Sequence, residues 1–399
     1  MTQYLLMHKN IPVLSLEMEE GYILSVNDEY NLEHLPVGVS HKNNMIKSDL
    51  RKWWVNRGIP ASRDKFLENL RNLGLDESAV SISLAERCLG LSLSDQYWFK
   101  PADSSLKWED VNFFHNEFSQ DIGRALFDNV LIENPSLMAP DNTSDGWLKK
   151  KWVVIDSERC LIKAGSKPFC QQPYNEVITS LICKRLGITN YVDYKFGIEA
   201  GEPVSICRNF ITPDTELVSA SAFMESNKKS NSVSEYSHFI DLALQHGIAD
   251  VQERVDEMLV VDYIIRNEDR HYKNFGLIRN AETLEYVGVA PIFDSGTSLL
   301  CNTQTEHIRK ECVSASSPSK AFKRTHDESI GLVKNIGRFD LGKLKGIDEE
   351  VREILSQGGF ITEARTDALC EALSERISKL ERTFSAARAP KRISSSRGR

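Results

Sequence analysis

The stretch from Val255 to Gly296 changes character three times, and that succession limits the folds open to this chain more than any other feature. Apolar residues at helical spacing, Val255, Met258, Leu259 and Ile265, run into a polar loop, Asn267-Glu268-Asp269-Arg270-His271-Tyr272-Lys273-Asn274. Phe275–Arg279 and Leu284–Val289, parted by a turn around Asn280–Thr283, then read as a β-hairpin, which delivers Phe293-Asp294-Ser295-Gly296. A helical segment interrupted by one short hairpin points to a mixed, α+β architecture.

The rest of the chain divides into blocks. Residues 1–125 are mixed: Pro12–Leu16 and Tyr22–Val26 are β-rich around a hairpin-like Glu19-Glu20-Gly21, and the pattern is helical from Asn44 to Leu91. Leu50, Trp53 and Trp54 lie in one candidate helix; Phe66, Leu67, Leu70 and Leu73 stripe the next, closed by Gly74. Tyr97, Trp98, Phe99, Trp108, Phe113, Phe114 and Phe118 crowd one segment, which signals packing against a neighbouring domain rather than base stacking. Arg51, Lys52, Arg57 and Arg63 are open to two readings, a solvated helix face or a DNA-reading unit. Residues 126–230 are β-rich. A loop over 134–146 leads to Trp152–Ile155 and Cys160–Lys163, then to a helix from about Tyr174 to Leu186 stopped by Gly187, then to strands over Tyr191–Ile198 and Pro203–Ile211. Residues 231–387 are mainly helical, ending in a long helix marked by Leu369, Leu373, Ile377, Leu380 and Phe384. The basic tail 388–399 is expected to be disordered.

Composition narrows the class. With 41% hydrophobic and 27% charged residues, the chain has enough apolar material for a substantial core. A net charge of −8 does not advertise general nucleic-acid binding, so direct contact with nucleic acid is not expected. No apolar run approaches the roughly 18–20 residues of a membrane helix, and no membrane association is expected. The eight cysteines are scattered without a C-x-x-C, which suggests neither a zinc site nor a disulfide framework and points to a reducing, cytoplasmic setting.

The polar loop and the hairpin carry the parts that phosphoryl transfer needs. An Asp orients an accepting hydroxyl and takes its proton, while a neutral Asn oxygen and a second Asp hold Mg²⁺ against the phosphates of ATP. Asp269, Asn274 and Asp294 supply that set in order. Asp-x4-Asn is weak by itself, but Lys163, closing an apolar strand run, and Glu176, early in the next helix, precede it in the order a kinase requires.

Asn267-Glu268-Asp269-Arg270-His271-Tyr272-Lys273-Asn274 together with Phe293-Asp294-Ser295-Gly296 resembles the HipA family of bacterial serine/threonine kinases, whose loop is shared with the phosphatidylinositol 3/4-kinase group. The resemblance spans roughly residues 130–385 and is loose before that. It implies a two-lobe, protein-kinase-like fold with a mixed N-terminal extension and a mainly helical C-terminal lobe. It implies Asp269 as the catalytic Asp, Asn274 and Asp294 as metal ligands, Lys163 as the ATP-phosphate lysine and Glu176 as its ion-pair partner. His271 would brace the catalytic loop through backbone or Asp294, and Arg270 either neutralises loop charge or is solvated. The phosphate loop would be Asn142–Trp147, with Ser144 and Gly146 near the nucleotide, although it departs from G-x-G-x-x-G. The family also implies that a hydroxyl there, Thr143 or Ser144, is autophosphorylated; the other reading makes both only turn residues, with Asp145-Gly146 completing the turn. Ser295 and Gly296 would let the backbone turn beside Asp294, and Arg208–Thr212 fall where an adenine hinge would lie. The implied activity is transfer from ATP to a protein Ser or Thr, with an antitoxin-like protein as a further partner. The competing readings are a kinase for a lipid or small molecule, and a non-catalytic, DNA-associated module of a toxin–antitoxin system.

Overall fold

The computed structural model describes residues 1–40, 45–60, 63, 81–128, 130–312, 314 and 317–388, arranged as an α+β fold whose three sheets are antiparallel. The first sheet holds β1 (Thr2–His8), β2 (Ile11–Glu19), β3 (Tyr22–Glu29) and β4 (Tyr97–Pro101) in the order β3-β2-β1-β4. Leu14, Leu16 and Met18 on β2 meet Leu50 and Trp54 of the helix Ile46–Val55, and the Trp54 indole N–H donates to the Gly21 carbonyl at 2.6 Å. The aromatic segment explains itself through the two-residue period of β4. Tyr97 and Phe99 enter this core, while Trp98 points the other way into a second core with Trp108, Phe113 and Ile211. One face of this strand thus packs within the N-terminal region, and the other reaches Ile211 beyond it.

The second sheet holds β5 (Lys150–Ile155), β6 (Glu158–Ala164), β7 (Lys195–Glu199) and β8 (Glu202–Arg208) in the order β5-β6-β8-β7. Packed on it is the helix Gln172–Leu186, which ends as expected with Gly187 in the left-handed region at φ 76°. The strand expected over Tyr191–Ile198 is shorter, because Tyr191 instead bridges Ile292. The third sheet is β9 (Thr215–Ser219), β10 (Gly276–Asn280) and β11 (Tyr286–Val289), ordered β11-β10-β9. β10 and β11 are the hairpin read from sequence. β9 was not foreseen: it pairs across some sixty residues of chain, Gly276 opposite Ser219. Only a glycine fits at 276, since a Cβ there would stand 2.1 Å from the Val218 carbonyl oxygen.

The helices Glu235–Gln245, Val251–Ile265, Ile347–Ser356 and Glu363–Arg388 enclose the core of the C-terminal lobe, with Phe239, Val255, Leu259, Leu369, Leu373 and Leu380 buried. Burying side chains of this kind is worth about 1.5–3 kcal/mol each. The stripe Phe66–Leu73 and residues 389–399 of the tail lie outside the described residues. Among the described residues no helix is long and apolar enough to cross a membrane. Between the second sheet above and the helical lobe below lies a cleft of about 1020 Å³.

Candidate active site

The loop under the cleft is built where the helix Val251–Ile265 ends. Arg266 caps it in the left-handed region at φ 49°, held there as its Nε donates to Ser317 Oγ at 2.6 Å. The Asn267 N–H returns to the Asp262 carbonyl at 2.9 Å, and its side-chain amide donates to Asp262 Oδ1 at 2.9 Å. Of the two readings of Arg270, solvation is excluded, because it is one of the largest fully buried side chains. Its Nε lies 3.0 Å from Asp262 Oδ2 and its Nη2 donates to Asp262 Oδ1 and Ser295 Oγ, both at 3.0 Å. Burial opposes the charge, but Asp262 beside it outweighs burial and holds the guanidinium protonated. Its Nη1 donates to the Asn274 carbonyl at 2.7 Å and also to the Phe293 carbonyl. One buried cation thus ties the end of the polar loop to the residue before Asp294.

Across the cleft Lys163 lies on β6 opposite Ser205 of β8. Its ammonium touches Glu176 Oε1 and reaches Asp294 Oδ1 at 2.5 Å. Ser205 donates its hydroxyl proton to the other oxygen of Glu176. Burial raises the Glu176 carboxyl, against the pull of Lys163. The Asp294 carboxyl, also pushed up by burial, is brought well below the ordinary range by Lys163 and Lys150. Burial works against the Lys163 charge, yet Asp294 and Glu176 keep it protonated. Asp294 itself, rather than Ser295 or Gly296, takes the left-handed backbone at φ 53°, and its N–H donates to the Tyr194 hydroxyl oxygen at 3.2 Å. Asn175, on the same helix as Glu176, grips the following turn by donating to the carbonyls of Gly296 and Ser298 at 2.8 and 2.7 Å.

Asp269, Asn274 and His271 line the same cleft as Lys163 and Asp294. The Asn274 side-chain N–H donates to the Asp269 carbonyl at 2.9 Å, which leaves its amide oxygen as the atom able to ligate a cation. His271 accepts from the Lys273 N–H at 3.3 Å, so it braces the loop through backbone; no bond to Asp294 forms, and its Nε2 lies 4.0 Å from Asp269 Oδ2. Asp269 Oδ1 is met by Lys320 Nζ at 2.5 Å, a partner no motif reveals.

The loop expected over the phosphates does line the cleft through Ser144 and Gly146, but it is held from outside. Arg63 donates to Ser144 Oγ at 3.1 Å, to the Ser144 carbonyl, and to the Gly146 carbonyl at 3.1 Å. The Ser144 hydroxyl bonds the Asp141 carbonyl at 2.8 Å and Thr143 bonds the Leu91 carbonyl at 2.7 Å, so both hydroxyls are buried and engaged. Burial brings Arg63 down to about 10 and Lys150 to about 8, and raises Asp141 to about 7. Of the basic residues offered as a DNA-reading face, Arg57 and Arg63 are buried, while Arg51 and Lys52 stay exposed, Lys52 3.3 Å from Glu225. Arg57 is buried against Asp95 at 2.6 Å, Arg51 donates to the Ile23 carbonyl at 2.7 Å, and Arg63 is the clasp just described.

Among the described residues no group of three or more His, Cys, Asp or Glu side chains is arranged to hold a metal ion. A pair such as the Asp294 carboxylate and the Asn274 amide oxygen is nevertheless the sparse, hard-oxygen set that Mg²⁺ takes while keeping several waters. The residues present fit the ion.

A family model described as the HipA-like C-terminal domain matches residues 143–357. The serine/threonine-protein kinase CtkA of Helicobacter pylori is 24% identical over 267 residues, covering 57% of this chain and 79% of that protein. The crystal structure of the H. pylori proinflammatory kinase CtkA covers 60% of this chain and 94% of its own, at 20% identity and a TM-score of 0.44. Shewanella oneidensis HipA, solved as a toxin–antitoxin complex with HipB and operator DNA, covers 95% of this chain and 97% of its own, at 12% identity and a TM-score of 0.52.

Proposed function

Since the chain belongs to the family defined by the HipA-like C-terminal domain, we propose that it is an ATP- and Mg²⁺-dependent kinase whose acceptor is a protein serine or threonine. The observation that carries this reading is the ammonium of Lys163 shared between Glu176 and Asp294, across a cleft that Asp269 and Asn274 also line. A lysine so placed is aimed by Glu176 and stays charged, ready to donate to nucleotide phosphates.

In the reaction the acceptor oxygen bonds the γ-phosphorus as the bond from that phosphorus to the β,γ-bridging oxygen breaks. ADP leaves with the electron pair, and the acceptor proton passes to the Asp269 carboxylate. Asn274 and Asp294 would hold Mg²⁺, which when bound neutralises charge on the phosphate oxygens. Arg270 ties the Asn274 carbonyl to that of Phe293, the residue before Asp294. Tyr194 steadies the Asp294 backbone, and its ring lies 5.7 Å from the Lys163 ammonium.

We assign residues 126–230 to the nucleotide-binding lobe, 231–387 to the catalytic lobe and 1–125 to the N-terminal extension, with β9 passing from the first of these into the sheet of the second. The setting proposed is cytoplasmic, in keeping with eight free cysteines. A partnership with an antitoxin-like protein draws support from the likeness to HipA in its complex with HipB. DNA contact by this chain's own basic helix face is disfavoured, because Arg57 and Arg63 are committed internally.

The test is transfer of labelled phosphate from Mg-ATP to lysate proteins. Asp269→Asn is expected to abolish transfer while ATP binding persists, because the base faces the acceptor. Asp294→Ala is expected to weaken Mg-ATP binding and to flatten its dependence on Mg²⁺. Loss of ATP binding in a folded Asp269→Asn variant, or unchanged Mg²⁺ dependence in Asp294→Ala, contradicts these roles.

A further inference from the structure

We propose that Lys320 is a further catalytic residue, whose ammonium contacts the phosphoryl group as it passes to the acceptor; this rests on the kinase reading above. The segment that carries it is anchored on both sides. His326 N–H donates to the Ser317 carbonyl at 3.0 Å, Pro318 bridges Thr325, and Ser319 N–H donates to the Arg324 carbonyl at 2.8 Å. Ser317 is the residue that accepts from Arg266 at the helix end, so the base of this segment and the start of the polar loop share one bond. On the far side Ala321 is buried, and the Phe322 ring packs against Phe275 and Tyr272 at centroid distances of 5.4 and 5.8 Å. Lys320 therefore projects from a backbone clamped onto the catalytic loop, and its Nζ stands 2.5 Å from Asp269 Oδ1.

The chemistry follows from that place. The acceptor oxygen must lie within hydrogen-bond reach of Asp269 and in line with the γ-phosphorus. A cation touching Asp269 is thus beside the reacting atoms, where charge spreads over the equatorial phosphoryl oxygens in the transition state. Both side chains of the pair are partly exposed, 55% for Lys320 and 32% for Asp269, so solvent screens their attraction and the ammonium exchanges partners readily. A γ-phosphate carries more charge than one carboxylate and is the stronger partner. As it draws the ammonium away, Asp269 Oδ1 is left free for the acceptor hydroxyl, whose oxygen bonds phosphorus and whose proton goes to Asp269.

Two measurements on the full chain test this, with Lys320→Met and Lys320→Arg. The first compares binding of Mg-ADP with binding of Mg-ADP plus aluminium fluoride, a mimic of the transferring phosphoryl. The second is the rate of labelled phosphate transfer to lysate proteins. Lys320→Met is expected to bind Mg-ADP as the natural chain does, to lose about tenfold or more for the fluoride complex, and to transfer on the order of 100-fold more slowly. Lys320→Arg should recover most of both. Equal losses for the two ligands, no loss, or faster transfer by Lys320→Met overturns the proposal while the kinase reading stands. A natural chain that binds no Mg-ADP overturns both.

Discussion

His326 is buried beside the polar loop that begins at Asn267, and burial, with the Arg376 and Arg266 guanidinium groups nearby, brings its pKa down to about 3. The unfolded chain takes up this proton near the ordinary histidine value of about 6.5, the folded chain only near 3. Between those values the unfolded state holds more protons, so stability falls as pH falls through that window. His326→Gln should remove this contribution: between pH 7 and pH 4.5 denaturant unfolding should show it losing about 2–3 kcal/mol less than the natural chain. The same contrast, between a residue's type and its surroundings, decides which site residues are legible in sequence. Lys163, Glu176, Asp269, Asn274 and Asp294 stand out because their order along the chain is itself the signal, and all five reach the cleft or its ion pairs. Arg63, Arg270 and Lys320 do not stand out. Each is a cation in a polar stretch, indistinguishable from a solvated one until folding brings Ser144, Asp262 or Asp269 against it.

The unit formed by the helix Val251–Ile265 and the loop after it depends on one buried pair. Removing the charge from one side leaves the other stranded without water, at a cost of about 3–5 kcal/mol. Arg270→Leu should therefore lower unfolding free energy by that amount and free the carbonyls of Asn274 and Phe293. The double variant Arg270→Leu with Asp262→Leu should be more stable than Arg270→Leu alone, a non-additivity that urea titration of the four proteins will measure. Helices and strands with one clean periodicity are plain from the residues, as Gly187 after Leu186 and the β10–β11 hairpin illustrate. β4 and β9 are not. β4 is buried on both faces and so lacks alternation, while Thr215–Ser219 becomes a strand only because β10, far along the chain, offers its edge.

A buried polar set joins the N-terminal sheet to the one that follows the polar loop 267–274. Arg279 on β10 donates to Glu216 on β9 at 2.5 Å and to the Tyr97 hydroxyl on β4 at 2.9 Å. His8 on β1 stacks on Tyr97 at 4.4 Å and lies 3.4 Å from the other oxygen of Glu216. Glu216→Gln should loosen both sheets together. Hydrogen exchange is expected to speed up in β1, β4, β9 and β10 by a common factor, while β5 and β6 keep their protection. Arg63 adds a second tie, since the N-terminal part of the chain holds the loop that would cover the phosphates. The N-terminal extension is thus a wall of the cleft rather than an appendage, which its weak resemblance to the family in sequence gave no means of seeing. The polar set has a consequence during synthesis. Glu216 follows His8 by about 200 residues, so at 5–20 residues per second the ribosome releases His8 roughly 10–40 s ahead of its partner. Through that interval β1 and β4 have no β9 to close against, and the half-built protein presents an unsealed polar seam to chaperones and proteases.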